Sequence, residues 1–354
     1  MKILHAADLH LDTPFTGRDP EAVSYLKRAL LSVPEKIAEI CTAQGCELVL
    51  LSGDLFDGDA TPESIHALKA ALSAITVPTF ISPGNHDFCA PSSPWLTESW
   101  PDNVHIFTKP VMESVSLPEL DCRIYGAGYT GMDCPALLEN FRAEGSETYH
   151  IAVLHGDPVQ KNAPYCPISQ AQVASSGLHY LALGHVHKAG SFTAGDTLCA
   201  WPGCPMGRGN DETGEKGLYI VTLEGSASME FLPLDTPRFY DLEVEVLTTA
   251  EEALSSVLPA VGSDDFYRIT LTGESEPFDA VALLRTDFPH LELRDRTVPP
   301  ADLWGCIEED SLEGMYFRML HDALADSDEE TAEQITLAAK ISRRILDGRE
   351  VALP

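Results

Sequence analysis

The sequence predicts a layered α/β domain, followed by a small α+β domain and a helical tail. Short apolar strands alternate with helical stretches through roughly residue 235, which is the pattern of an α/β fold. From "PLDTPRFYDLEVEV" to about residue 298 the sequence becomes rich in strands, and from about Asp310 it is helical and charged. We therefore place the domains at residues 1–235, 236–300 and 301–354.

The first domain is expected to contain buried strands with helices between them. "KILHAA" is predicted as the first strand, and "CELVLLS" is a continuous apolar run typical of a strand buried on both faces. Residues 21–44 have helical periodicity interrupted at Pro34, and Thr61 followed by Pro62 predicts a helix start. The remaining predicted strands are "VPTFIS", "CRIYGA", "HIAVLH", "YLALGH", "DTLCAWPG" and "GLYIVTL".

The second domain is predicted to mix strands and helices. Its strands are expected at "FYDLEVEVL", "DFYRITLTG" and "LELRDRT", and its helices at "AEEALSSVL" and "FDAVALLRTD". The helical tail carries an apolar periodicity, whose expected buried face comprises Ile335, Leu337, Ala338, Ile341 and Ile345.

Composition and charge limit the functions that the chain can have. Of the 354 residues 44% are hydrophobic, which is ordinary for a globular protein, but the net charge is −32. A protein that holds nucleic acid alone usually has a basic face, because neutralising phosphates supplies much of the affinity. Any polyanionic substrate is therefore expected to be held by a local site, by metal ions or by a partner.

The sequence predicts a cytoplasmic protein without a membrane span. It has no run of about 18 apolar residues, and "MKILHAADLH" lacks the apolar core of a secretion signal. The nine cysteines are scattered and never spaced as CxxC, which argues against a disulfide framework and a zinc knuckle. We expect most of them to be small buried side chains.

Five clusters of polar residues follow five apolar runs. Any one of them is a weak signal, but five independent turns on one side of a sheet are a poorer explanation than one shared site. Gathering so many ionisable groups also costs desolvation free energy, which a purely structural role does not explain. The candidate residues are Asp8, His10, Asp54, Asp57, Asn85, His86, Asp87, His155, His185 and His187.

The residue types in these clusters indicate metal binding. Imidazoles, carboxylates and an amide oxygen, without thiolates, suit manganese, iron or zinc. Strand alternation is expected to place Asp8 and His10 on one side of an extended segment, and likewise His185 and His187. The set is too large for one ion and suits two, with Asp54 able to bridge them. Two such ions polarise a phosphoryl group, generate a hydroxide and stabilise the leaving oxygen.

The five clusters resemble the signature of the calcineurin-like metallophosphoesterases: D-x-H, G-D-x-x-D, G-N-H-[DE], H and G-H-x-H. All five blocks occur in the family order across residues 8–187. The resemblance implies a four-layer α/β/β/α sandwich and two sets of metal ligands. These are Asp8, His10, Asp54 and His187 for one ion, and Asp54, Asn85, His155 and His185 for the other.

The same resemblance implies that His86 is the catalytic imidazole. It would stabilise developing charge or protonate the leaving oxygen, with Asp57 or Asp87 orienting it. Asp87 has a competing explanation as a residue that stabilises the turn. His5 lies within the first strand and is expected to be structural.

Three stretches are similar to the SbcD family of DNA-repair exonucleases and its YhaO-like relatives. They are "ILHAADLHLD", "YLALGHVHKAG" and "WPGCPMGRGNDETGEKGLYIV". This resemblance implies a manganese-dependent DNA phosphodiesterase with a DNA-capping second domain, acting with an SMC-like coiled-coil ATPase of the SbcC type. The helical tail would be a docking element for that partner. Arg208 is the expected phosphate contact, whereas Lys188 and Lys161 are expected to be solvated surface charges.

The alternative is a small-molecule phosphoesterase that acts on a nucleotide or cyclic nucleotide. The strong acidity favours it, because a small anion needs only the metals. The second domain would then be a lid or a dimerisation module that forms a homodimer. A basic strip leading from the metals would favour DNA, and a closed pocket would favour the small substrate.

Overall fold

The computed structural model describes residues 1–160, 162–300, 302–325 and 327–348, so Lys161 lies outside the described residues. The chain divides into two compact units. The first comprises Met1–Asp241 with Asp264–Tyr267, and the second comprises Leu242–Ser263 with Arg268–Pro354.

The first unit contains two six-stranded sheets with helices between their strands. Its elements in chain order are β1 (Lys2–Ala6), α1 (Pro20–Leu31), α2 (Val33–Gln44), β2 (Leu48–Leu51), α3 (Pro62–Ala74), β3 (Thr79–Ile81), α4 (Pro94–Thr97), β4 (Val104–Ile106), β5 (Glu113–Leu117), β6 (Cys122–Gly126), β7 (Tyr149–His155), α5 (Gln170–Ser175), β8 (Tyr180–Gly184), β9 (Lys188–Ala194), β10 (Thr197–Gly203), β11 (Gly217–Glu224) and β12 (Ser226–Pro233). The strand orders are β12-β11-β1-β2-β3-β4 and β5-β6-β7-β8-β10-β9.

Both sheets are parallel at their centres. Strands β1 to β4 run parallel to one another in the first sheet, as do β6, β7, β8 and β10 in the second. Antiparallel pairs flank these centres: β12 with β11 and β11 with β1 in the first sheet, and β5 with β6 and β9 with β10 in the second. The carboxyl ends of parallel strands meet at one edge of a sheet, which is where functional loops collect in such folds.

Three apolar clusters define four layers. Ile3, Leu50 and Phe80 on one face of the first sheet pack in a single cluster with Ile124 and Val153 of the second sheet. The opposite face of the first sheet packs against α1, α2 and α3, and the outer face of the second sheet packs against α5 and neighbouring loops. The predicted four-layer α/β/β/α sandwich is therefore confirmed.

Local sequence signals set the helix boundaries. The Asp19 side chain accepts hydrogen bonds from the first turn of α1. Thr61 does so for α3, with Pro62 at the first position, and this second helix start is the one that the sequence predicts. The predicted break near Pro34 falls at Ser32, between α1 and α2. Helix α2 ends at Gln44 and is capped by Gly45, whose φ of 62° favours glycine.

The second unit carries most of a three-stranded sheet and three helices. The sheet has the order β13 (Phe239–Val246), β14 (Phe266–Gly273), β15 (Leu291–Asp295). The helices are α6 (Ala250–Val257), α7 (Leu312–Ala325) and α8 (Glu329–Leu346). The helix expected at "FDAVALLRTD" is wrong, because residues 278–287 form turns and coil.

The buried side chains of the tail differ from the sequence expectation. A small cluster of Leu303, Cys306, Phe317 and Ala339 holds α7 and α8 together. Ala339 is buried, whereas Leu337 and Ile345 are exposed. None of the described helices is both long and apolar enough to cross a membrane. All nine cysteines are buried free thiols, as expected.

Candidate metal centre

The polar clusters lie where parallel strands of the two sheets end. The loops after β1, β2 and β3 carry Asp8 with His10, Asp54 with Asp57, and the Asn85–Asp87 cluster. In the second sheet, His155 is the last residue of β7, and β8 is followed at once by His185 and His187. Both sheets thus deliver candidate ligands to one region of the first unit.

Left-handed backbone, rather than strand alternation, aims the first residues of this set. Strand β1 ends at Ala6, and Asp8 and His10 have φ angles of 54° and 47°. The Asp8 amide donates to the Gly53 carbonyl at 3.0 Å and the His10 amide to the Asp54 carbonyl at 2.9 Å. The expected extended segment is therefore wrong, although both side chains reach the same site. Such strained conformations tend to occur at functional positions.

The first group of candidate ligands comprises Asp8, His10 and His187. One ligand atom of each lies within 4.8 Å of the others. The Nε2 atoms of His10 and His187 are 3.1 Å apart, and His10 Nε2 is 3.8 Å from an Asp54 carboxylate oxygen. Two imidazole nitrogens at this distance need a shared proton or a cation, since two lone pairs repel each other.

The second group comprises Asp54, His155 and His185, within the same distance limit. His155 Nε2 lies 3.3 Å from Asp54 Oδ2 and 3.0 Å from Asn85 Oδ1. The Asp54 carboxylate is thus adjacent to His10 on one side and His155 on the other. Its position suits the bridging role that the sequence suggests.

Backbone hydrogen bonds fix the orientation of these side chains. His155 Nδ1 donates to the Ser52 carbonyl at 2.9 Å, which leaves Nε2 facing the second group. The amide of His185 donates to Asp8 Oδ1 at 2.9 Å, and the amide of His86 donates to Asp54 Oδ1 at 2.9 Å. Such outer hydrogen bonds are typical of metal sites, where they set the tautomer and direction of each ligand.

The burial and chemistry of the set fit divalent cations. Asp8, His10, Asp54, Asn85 and His155 are all buried, and burying so many polar groups without a counter-ion is unfavourable. The buried Nδ1 atom of His10 has no hydrogen-bond partner among the residues that the structure describes. Nitrogen and oxygen ligands without thiolates suit manganese, iron or zinc. The two groups adjoin at Asp54 and suit a pair of such ions. A third group within the same 4.8 Å limit comprises His10, Asp54 and His86 and overlaps the first at His10.

His86 and Asp57 form a hydrogen-bonded pair beside this site. His86 Nδ1 lies 2.8 Å from Asp57 Oδ1, and the His86 ring is in edge contact with His10, with centroids 4.9 Å apart. The side chain of His86 is 41% exposed, so a substrate can reach it. The hydrogen bond with Asp57 raises the pKa of His86 above its ordinary value, despite partial burial. The His10 ring, whose Nδ1 lies 3.7 Å from Asp57 Oδ1, and the hydrogen-bonded His86 ring hold the pKa of Asp57 below its usual range.

Asp87 stabilises the turn and does not contact the catalytic candidate. Its carboxylate accepts hydrogen bonds from the amides of Gly84 at 2.7 Å and Leu55 at 2.8 Å. Burial, together with the nearby Asp54 carboxylate, raises the pKa of Asp87 to about 7. Of the two residues considered for orienting His86, the geometry brings only Asp57 to its ring.

Glu212 is a site residue that the sequence reasoning missed. Its Oε1 atom lies 2.7 Å from His187 Nδ1, and its carboxylate also pairs with Arg208, with Nη2 at 2.7 Å. Burial would raise the pKa of Glu212, but hydrogen bonds with His187 and Arg208 lower it overall. The signal available in the sequence was "GRGNDETGEK", the family-like stretch in which Glu212 is the acid four residues after Arg208.

Arg208 stands beside the metal groups but is engaged within the protein. Its Nη2 atom is 2.8 Å from His187 Nδ1, and its Nε and Nη2 atoms donate hydrogen bonds to the two carboxylate oxygens of Glu212. The predicted phosphate contact therefore remains a prediction, since this guanidinium already has a carboxylate partner. Lys188 is exposed, as expected, and lies directly after His187.

Two acidic residues near the ligands have structural contacts. Asp12 accepts hydrogen bonds from Thr61 at the start of α3. Asp157 accepts from the amides of Val159 and Gln160, at 2.8 and 2.9 Å. His5 lies within β1, where Tyr180 and Ser52 flank its ring at 2.7 and 2.9 Å. None of the three belongs to the metal groups found among the described residues.

The chain belongs to the calcineurin-like phosphoesterase family, whose model matches residues 1–189. It is 33% identical over 253 residues to the uncharacterised metallophosphoesterase YhaO of Bacillus subtilis strain 168. That match covers 65% of this chain and 60% of the relative, so the chain spans less than two thirds of YhaO. It is 32% identical over 88 residues to "Probable exonuclease subunit 1" of Escherichia phage T5, covering 25% of this chain and 26% of that protein.

Solved structures to which the chain is similar include TT1561 of Thermus thermophilus and a dimetal phosphatase from Danio rerio. The first is 14% identical with a TM-score of 0.40, covering 65% of this chain and 98% of its own. The second is 14% identical with a TM-score of 0.43, and the match covers 65% of this chain and 95% of the phosphatase.

Proposed function

We propose that this protein is a manganese-dependent phosphodiesterase that hydrolyses DNA, in the manner of an SbcD-type nuclease subunit. The observation that carries the phosphodiester chemistry is the arrangement of two metal-ligand groups around Asp54, with the His86–Asp57 pair beside them. When bound, two divalent ions polarise a phosphoryl group and activate the attacking water.

The residues of the chain supply proton transfer and positioning. Asp57 accepts the Nδ1 hydrogen of His86, so Nε2 on the opposite side of the ring is free to act on a substrate. The raised pKa of His86 favours its protonated form, which suits protonation of the leaving oxygen. His155, held by the Ser52 carbonyl, presents a fixed ring to the second group.

The choice of DNA rests on the relatives and on the family-like sequence after the last ligand. The phage T5 relative is named as an exonuclease subunit, and its match supports a nuclease reaction here. The stretch from Trp201 to Val221, which contains Arg208 and Glu212, closes over His187 through hydrogen bonds.

The acidic second domain indicates that DNA binding needs help from a partner. Residues 236–300 contain five arginines, no lysine and 13 acidic residues. Four of the five arginines pair with carboxylates, namely Arg238, Arg268, Arg285 and Arg294. A domain that grips DNA alone needs a basic surface. An SMC-like coiled-coil ATPase of the SbcC type could supply that surface.

Helix α7 offers a surface for such a partner. Leu312, Met315 and Met319 recur at helical spacing, and their side chains are 86%, 54% and 72% exposed. Exposed apolar stripes of this kind commonly mark protein interaction sites. The spacing suits an apolar seam against another helix, as a coiled coil would provide.

The test is manganese-dependent hydrolysis by the purified chain, wild type beside His86→Ala. The substrates are a labelled linear duplex and a panel of nucleotide phosphodiesters. Loss of duplex degradation in the variant is the expected result. Turnover of small diesters with intact DNA, even after a coiled-coil ATPase is added, would refute the nuclease assignment.

The second candidate is a phosphoesterase for a nucleotide or cyclic nucleotide. The net charge of −32 favours it, since a small anion requires only the metals and a few local contacts. The second unit would then act as a lid or as a dimerisation module in a homodimer. Iron or zinc could replace manganese in either case, because the same nitrogen and oxygen ligands accept all three.

A further inference from the structure

A cavity of about 270 Å³ lies beside the first metal group and is not used by the reaction described above. Its wall includes His187 itself, the adjoining Lys188, Thr213 and Lys216, and the rings of Tyr219 and Phe231. A cavity of this volume lies just below the usual range for small-molecule sites, roughly 300–1,000 Å³. It can therefore accept one phosphate with part of a sugar, rather than a complete nucleotide.

Lys216 is the unusual residue in this cavity. It is only 8% exposed, although lysine is rarely buried without a partner. Its ammonium has no hydrogen-bond or ion-pair partner in the part of the chain that the structure describes. The Nζ atom is not among the fully buried, unpartnered atoms of the described residues, so the ammonium opens onto the cavity, where an anion is its natural partner.

The other charges on the cavity wall favour an anion as well. Lys188 is exposed and adds a second positive charge. The one carboxylate on the wall, as far as the described residues go, is Glu215, which is paired with Arg238 at 3.2 Å. His187 directs its Nδ1 atom to Glu212, which is already balanced by Arg208. Two lysines therefore remain for a ligand, in a chain whose net charge is −32.

We infer that this cavity binds a second phosphate of the substrate, next to the phosphate that is cleaved. The inference rests on the proposed phosphodiesterase function, because His187 is shared between the cavity wall and the first metal group. The ammonium groups of Lys216 and Lys188 bind the phosphate as positively charged hydrogen-bond donors, and the Thr213 hydroxyl in the same wall is a further donor. A substrate with at least two phosphates, such as an oligonucleotide, fits better than a lone diester.

The kinetic test compares substrates with one and with several phosphates in Lys216→Met. For octathymidylate we expect kcat/KM to fall about tenfold more than for bis(p-nitrophenyl) phosphate, equivalent to about 1.4 kcal/mol. Lys188→Met should show a smaller effect in the same direction. The matched control is Lys109→Met, which removes an equal charge at an exposed position paired with Glu113. Equal losses on both substrates, or no loss on either, would overturn the inference.

A second kinetic measurement locates the bound phosphate. Octathymidylates that carry one neutral methylphosphonate at a time are hydrolysed by the wild type and by Lys216→Met. We expect a methylphosphonate at one position next to the cleaved linkage to lower kcat/KM about tenfold for the wild type and to leave it unchanged for the variant. A position profile that is the same for both proteins would contradict a phosphate contact at Lys216.

Direct binding separates the failure of this inference from the failure of the proposed function. Crystals of the full chain soaked in tungstate, a phosphate analogue, should show tungsten anomalous density in the cavity for the wild type and none for Lys216→Met. No density in the wild-type cavity would overturn the subsite. If octathymidylate is not cleaved while bis(p-nitrophenyl) phosphate is, the DNA assignment fails, and the tungstate result still decides the subsite.

Discussion

His86 and His187 are each hydrogen-bonded through Nδ1 to a carboxylate, at 2.8 and 2.7 Å, yet the two carboxylates have different surroundings. Within the described part of the chain, no arginine or lysine forms an ion pair with Asp57, and its hydrogen bond raises the pKa of His86. Glu212 is balanced by Arg208 at 2.7 Å. One pair therefore favours a protonated imidazole, and the other orients a ring without adding net negative charge.

This difference suits the two roles that we propose for these residues, His86 as a proton donor and His187 as a metal ligand. A proton donor needs its charged form stabilised, whereas a metal ligand must offer a lone pair. His5 serves as a reference for this comparison, because its ring has no carboxylate among its hydrogen-bond partners. His5 contacts Tyr180, Ser52 and the Leu183 carbonyl, and burial lowers its pKa to about 3. A carboxylate partner thus raises the pKa of the half-exposed His86 ring, whereas burial without such a partner lowers that of His5.

The largest effect is expected from His86→Ala. Removing a general acid commonly lowers the rate roughly 100- to 10,000-fold. We expect kcat to fall by that order while manganese binding is retained, measured by hydrolysis and by metal titration on the same preparation. His66→Ala, on the exposed face of α3, is the matched control. A parallel loss of bound manganese would mean that His86 acts as a ligand.

The next effect concerns stability and the Arg208–Glu212 pair. Arg208→Met leaves the buried Glu212 carboxylate without its counter-charge. Breaking a buried pair costs roughly 3–5 kcal/mol, and the 19% exposure of Arg208 places the expected loss at about 3 kcal/mol. The free energy of unfolding from urea titration measures it. The double variant Arg208→Met/Glu212→Gln should recover most of the loss, and failure to do so would show that packing dominates.

Glu212→Gln tests the orienting role at the first metal group. It leaves the Arg208 charge uncompensated 2.8 Å from the ring of His187. Loss of an outer hydrogen-bonding partner typically lowers metal affinity roughly 10- to 100-fold. Manganese titration should show one of two binding steps weakened to this extent. Glu224→Gln, at an exposed strand end, is the control, and equal affinities in all three proteins would contradict the comparison.

The smallest effect is the pH dependence contributed by His5. Because its pKa is about 3 when folded and near 6.5 when unfolded, only the unfolded chain takes up a proton between these values. The stability that neutral His5 allows is complete above about pH 6.5 and is lost as the pH falls. Relative to His5→Gln, the wild type should lose about 1.4 kcal/mol per pH unit below about 6.5. Urea titrations at about pH 7.5, 6.5 and 5.5 measure this, and parallel profiles would refute it.

Much of the site could be predicted because its signals are local. An apolar run followed by Asp, Asn or His shows both the strand and the side chains at its end, as in "YLALGHVH". The helix start at Thr61 and Pro62 is equally local, since the cap acts within one turn. Parallel pairing then brings the ends within each sheet together. The packing of the two sheets through their shared apolar cluster brings the two sets into one site.

The missed features depend on contacts between distant residues. Glu212 reaches His187 from 25 positions along the chain, through a loop whose path no periodicity encodes. Asp8 and His10 adopt left-handed backbone, although the sequence around them has the same pattern as a strand that continues. The apolar spacing in "FDAVALLRTD" resembled a helix, but a segment this short between Pro277 and Pro289 is marginal without packing. The Arg285–Asp287 ion pair forms there within a turn.

The central claim is that Asp54 joins two groups of ligands into a site for two ions. The direct measurement is manganese stoichiometry and electron paramagnetic resonance of the wild type beside Asp54→Ala. We predict two ions per chain with a spin-coupled signal in the wild type, and loss of the coupling with weakened binding at both positions in the variant. One ion per wild-type chain, or two coupled ions without Asp54, would contradict the account.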